Sequence, residues 1–114
     1  MKTTGGKNEG ESPREKFARI AAEIKANADW RALLAGTYDD ELAALEEIAK
    51  HYGGESWNTG GGVYVAVLPL GPHDVLAVTA EVICHYHNAN AASMSDVFDE
   101  PDNDTSEGCV SLIE

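Results

Sequence analysis

The most suggestive chemical pattern in this chain is a pair of histidines one residue apart, His85-Tyr86-His87. Alternate residues on a β-strand point the same way, so both imidazoles can face one metal ion, with Glu81 or His73 as further ligands. Only the two histidines have diagnostic spacing. The competing expectation is a pair of exposed histidines on the solvent face of a sheet. Two cysteines, Cys84 and Cys109, are too few and too far apart for a disulfide framework or a CxxC site, and the expectation is two reduced, half-buried thiols. Cys84 and His85 are strand neighbours and face opposite sides, which argues against a thiol–imidazole nucleophile pair. The triplet Gly60-Gly61-Gly62 is not a phosphate cradle. Such a loop runs from strand into helix, whereas these glycines run from helix into strand and the nearest base is Lys50. An EF-hand starting at Asp102 fails as well, because Glu107 stands where the loop needs glycine and Ile113 where it needs glutamate. No catalytic residue and no cofactor are expected.

Charge is the feature that departs furthest from an ordinary domain. Twenty acids against eight bases give a formal net charge of −12 over 114 residues. Six of the bases lie before residue 28, and from His51 to Glu114 there are ten acids and no Lys or Arg. A half-chain of that sign repels nucleic acid and anionic lipid, so direct nucleic-acid binding and membrane binding are both disfavoured. The segment Met1–Glu11 lacks the apolar core of a secretory signal, and the expected location is cytoplasmic. The Asn103-Asp104-Thr105 glycosylation pattern then reads as chance.

Residues 1–11 are polar and glycine-rich, a disordered lead-in to one domain over 12–114. Ser12-Pro13-Arg14-Glu15 is a capping box on a proline-started helix carrying Phe17, Ile20 and Ile24 on one face. The stripe loses phase near Asn27-Ala28-Asp29, so residues 13–35 form either one kinked helix or two, with Asp29 as the second N-cap. A third helix starts at Thr37, buries Leu42, Leu45 and Ile48, and ends at Gly53-Gly54. Trp57 to Gly62 reads as a loop and Val63 to Leu68, apolar on both faces, as a central strand. Gly71-Pro72-His73-Asp74 is a hairpin turn. The alternating run Val75 to His87 is too long for one strand, so a bend or two strands meeting near Ala80-Glu81 is expected. In that reading Leu76, Val78, Ala80, Val82, Cys84 and Tyr86 share a face. Residues 96–107 read as an acidic loop and Gly108 to Ile113 as a last strand. The fold class is α+β: two or three N-terminal helices on one face of a small antiparallel sheet of three or four strands. The helix residues should pack against Val65, Val78, Ala80, Val82 and Cys84.

The stretch from Trp57 to Tyr86, through Trp57-Asn58-Thr59-Gly60-Gly61-Gly62, Leu68-Pro69-Leu70 and Val78-Thr79-Ala80-Glu81, resembles short acidic proteins of phages and mobile elements. The resemblance covers about a quarter of the chain and implies no catalytic residues. It implies binding to a host enzyme, in some cases as a nucleic-acid mimic.

These readings combine into an expectation of a non-enzymatic protein whose acids dock a basic surface on a partner protein, as mimic or inhibitor. The candidate contacts are Asp39, Asp40, Glu46 and Glu47 on the third helix, and Asp96, Asp99, Glu100, Asp102, Asp104 and Glu107 beyond the strands. One alternative is a small metal-binding protein or hydrolase built on His85 and His87. Another is a structural subunit that oligomerises through a sheet edge.

Overall fold

The computed structural model describes residues 11–59, 63–100 and 107–112. Helix α1 (Pro13–Ala26) opens as its sequence dictates: the Ser12 hydroxyl accepts from the Glu15 N–H, and the Ser12 N–H donates to the Glu15 carboxylate at 2.9 Å. Of the expected lead-in only Glu11 lies among the described residues, and its carboxylate takes both the Nε and Nη2 donors of Arg19. The helical stretch is two helices, not one. Asn27 leaves helical geometry and caps α2 (Ala28–Leu34), its side chain accepting from the Trp30 N–H at 3.0 Å. The cap therefore falls on Asn27 rather than Asp29. Helix α3 (Tyr38–Tyr52) carries a second capping box, Thr37 with Asp40, and stops at Gly53 in left-handed geometry (φ 75°). At Gly54 even a Cβ would overlap the Val67 carbonyl and Leu68, so only glycine lets the chain turn under the sheet here.

Among the described residues five strands follow in a simple antiparallel meander: β1 (Glu55–Asn58), β2 (Tyr64–Gly71), β3 (Asp74–Val78), β4 (Val82–His87) and β5 (Gly108–Ser111). The α+β class and the antiparallel sheet are as expected, with more strands than foreseen. The addition is β1, in which Trp57 and Asn58 pair with Val65 and Tyr64 instead of looping. Gly60 to Gly62 lie outside the described residues. The long run divides into β3 and β4 around Thr79–Glu81, and Val78 pairs with Ile83.

That turn inverts the expected facing. Val78 and Ile83 share a face although an even number of residues separates them, so strict alternation breaks across the turn. Ala66, Leu68, Leu76, Val78 and Ile83 pack against α1, α2 and α3 in one core that includes Phe17, Ile20, Ile24, Leu45 and Ile48. Val65, Val67, Val75 and Ala77 form a second core on the opposite face. Cys84 is in register with Ala77 and so belongs with that face. Val65 and Cys84 thus do not meet the long helices, Ala80 and Val82 are half-buried near the turn, and Leu42 is half-buried rather than core.

The second core is covered by α4 (Met94–Asp99), a short helix in the segment expected to be an acidic loop. The Ser93 hydroxyl accepts from the Asp96 N–H, and Val97 is 1% exposed against the sheet. Phe98 stands edge-on to Trp57 and Tyr86, with ring centroids 5.7 and 5.9 Å apart. Both sheet faces are covered: among the described residues α1, α2 and α3 lie on one side of the meander and α4 on the other. No helix among the described residues is long and apolar enough to cross a membrane.

Candidate functional site

The His85 and His87 side chains do point the same way, on the helix-facing side of the sheet, where His85 is buried and His87 remains partly open to solvent. The register sets Gly71, Asp74 and His87 in one row and Leu68, Leu76 and His85 in the next, all on the helix-facing side. Asp74, which the sequence presents only as a turn residue, is the group both histidines meet. One carboxylate oxygen, Oδ1, lies 2.8 Å from His85 Nε2 and 3.0 Å from His87 Nδ1. An ionised carboxylate only accepts, so with Asp74 ionised His85 donates from Nε2 and His87 from Nδ1. His85 and Asp74 are buried, and Phe17 of α1 covers His85 with a ring-centroid distance of 5.5 Å. The trio is an internal polar clamp that ties the β2–β3 hairpin end to β4 beneath α1.

Of the other proposed ligands, Glu81 is exposed at the β3–β4 turn, at the opposite end of β4 from His87. His73 is in the β2–β3 turn; its carbonyl accepts from the Asn88 N–H, and its buried Nδ1 has no hydrogen-bond partner. Among the described residues no three His, Cys, Asp or Glu side chains are arranged to hold a metal ion.

The cysteines are not free thiols. Cys84 and Cys109 are register partners on β4 and β5, with Cα atoms 4.1 Å apart, and form a disulfide. A directly opposed antiparallel pair brings Cα atoms to about 4.5 Å when the pair is not hydrogen-bonded, within bridging range. Sequence separation gave no hint of this, because a meander brings residues far apart in the chain face to face.

The acids fall on two sides of the sheet. On α3, Asp39 and Glu46 are exposed, and Asp40 is half-buried in the capping box. Glu47 accepts from the indole N–H of Trp30 at 2.7 Å and so helps dock α2 on α3. Beyond the opposite sheet face, Asp96, Asp99 and Glu100 belong to α4 and its C-cap. Asp96 also accepts from the Ala92 N–H. With Asn88, Asn90 and Ala91 these three acids line a cleft of about 330 Å³. Glu107 is exposed just before β5, and its N–H donates to the His85 carbonyl at 2.7 Å. Asp102 and Asp104 lie outside the described residues. The α3 acids and the α4 acids are therefore two surfaces separated by the sheet.

Sequence reading missed Asp74 and α4. Ser93-Met94-Ser95-Asp96 is an S-x-x-D cap signal and was sufficient to find the helix. Asp74 needed the strand register. No family model matches the chain, and neither a curated protein nor a solved structure matches it.

Proposed function

We propose that this chain is a non-enzymatic binding protein that docks a basic surface on a partner protein through its exposed carboxylates, as an inhibitor or nucleic-acid mimic. The observation that carries the reading is the set of outward acids on α4 and its cap, Asp96, Asp99 and Glu100, around a polar cleft in a half-chain that contains no Lys or Arg. Opposed charge across an interface raises association rate and selectivity. The α3 acids supply a second surface, and because the sheet separates them from α4, one flat partner face engages one set or the other. The resemblance of residues 57–86 to acidic proteins of phages and mobile elements agrees with this reading.

The test is capture from the source cell at low and high salt, with the intact chain and two variants. One variant carries Asp99→Asn and Glu100→Gln, and the other Asp39→Asn and Glu46→Gln. A salt-sensitive partner lost in one variant and kept in the other supports the proposal and identifies the face. Binding indifferent to salt and to both variants overturns it. A cytoplasmic site of action predicts that the two cysteines are reduced in the cell. The Cys84–Cys109 disulfide fits oxidising surroundings better, and thiol labelling of the chain from its source decides between them.

A further inference from the structure

One concavity among the described residues is lined by two basic side chains and one acidic one, in a chain where acids outnumber bases twenty to eight. It lies between the C-terminal end of α1, the outer side of α2 and the β3–β4 turn, with a volume of about 610 Å³. Small-molecule pockets typically span about 300–1,000 Å³ and combine apolar walls with a few polar groups. Leu34 and Leu112 are buried at this cavity, and Ala28, Ala32 and Ala80 supply small apolar surface around them. The side chains of Arg31 and Lys25 line it as well, in a protein of net charge −12.

Arg31 is held in place. Its Nη2 donates to the Leu112 carbonyl at 2.9 Å, tying α2 to the end of β5. That bond uses one N–H of a guanidinium that carries several, and a planar fork already immobilised at one corner loses little freedom on taking a carboxylate. Glu81, whose backbone carbonyl accepts from the Leu112 N–H, also lines the cavity, and its side chain is exposed to water. Ala28 and Ala32 are exposed, so a ligand reaches the cavity without any element moving.

We infer that this cavity is a binding site for a small carboxylic acid with an apolar body, the carboxylate on Arg31 and the hydrocarbon over the alanines, Leu34 and Leu112. The inference does not rest on the acidic docking reading, since it uses the opposite charge at a different place. Its ligand is chosen by two complementary features together: a cation with spare donors, and apolar surface beside it that water solvates poorly.

The test titrates the isotope-labelled full chain, disulfide intact, with hexanoate, hexan-1-ol and hexylamine, following backbone amide shifts. Hexanoate should give saturable shifts over Arg31–Ala35 and Ala80–Glu81, hexan-1-ol should bind more weakly, and hexylamine should leave those amides unmoved. Arg31→Gln should weaken hexanoate about tenfold or more, the usual scale for losing a charge-assisted contact. Because Arg31→Gln also breaks the bond to Leu112, Ala32→Glu serves as the second variant. Residue 32 is exposed, so the fold tolerates glutamate there while its charge repels hexanoate and abolishes binding. Absence of saturable shifts with hexanoate overturns the inference. So do hexylamine shifts of equal size at the same amides, or undiminished hexanoate binding to Ala32→Glu.

Discussion

At the residue scale, three side chains make separable predictions. Leu45 is fully buried at the centre of the helix-facing core, so Leu45→Ala should cost about 2–5 kcal/mol by denaturant unfolding, as core truncations do. Tyr52 links α3 to α1 through a phenol donating to the Glu23 carboxylate at 2.7 Å. Burial, and next the Glu23 carboxylate, push its phenol well above the usual tyrosine range. The folded state therefore holds this proton more tightly than the unfolded chain does, and the resulting stability is fully present below about pH 10, the ordinary tyrosine value. It is lost as pH rises through the raised value. Tyr52→Phe should cost about 0.5–1.5 kcal/mol at neutral pH, and the gap to the parent protein should close in alkaline melts. For His85 and His87, whose facing nitrogens are engaged by Asp74, thermal melts with zinc and with a chelator should coincide. A zinc-dependent shift in melting temperature would restore the metal reading.

At the element scale, the disulfide decides the fate of β5. This strand has four residues and lies at the edge of the sheet, where β4 is its strand partner among the described residues. Its other anchors are Leu112, buried in the helix-facing core, and the Arg31 bond to the Leu112 carbonyl. A bridge closing a loop of this size contributes about 2–4 kcal/mol, chiefly by restricting the unfolded chain. Reduction, or Cys109→Ser, should therefore lower stability by about that amount. Native-state hydrogen exchange should then speed up first at residues 108–112 and at their partners on β4, while β2 and β3 stay protected. Uniform acceleration across the sheet would show that β5 opens only with the whole domain. The contrast with β3 is physical: all five of its residues are buried and both its edges are paired.

At the scale of the whole molecule, charge and fold are arranged independently. The meander places the α3 acids and the α4 acids on opposite sides of the sheet, and the basic residues Lys25 and Arg31 at a third place. Screening shortens from about 10 Å at 0.1 M salt to about 3 Å at 1 M, so partner affinity through either acidic surface should fall steeply over that range. Surface plasmon resonance against the captured partner should show the change mainly in association rate, with the melting temperature of Asp99→Asn/Glu100→Gln little altered. An exposed helix end contributes little stability, whereas long-range attraction acts before contact.

What is local or additive can be read from the residues alone. The caps at Ser12 and Thr37, the stop at Gly53, the turn at Gly71–Asp74 and the buried faces of α1 and α3 each depend on residues a few positions apart. The charge imbalance is a sum over the chain. Which way the strands face and which residues they meet follow from the folded arrangement. A strand's side-chain period is two, so the single parity change at Thr79–Glu81 sent His85 and His87 toward α1 and turned Cys84 toward α4. The same register set Asp74 opposite His87 and Cys84 opposite Cys109. Neither pairing is written in any local stretch, because each depends on how many residues the turns between strands consume.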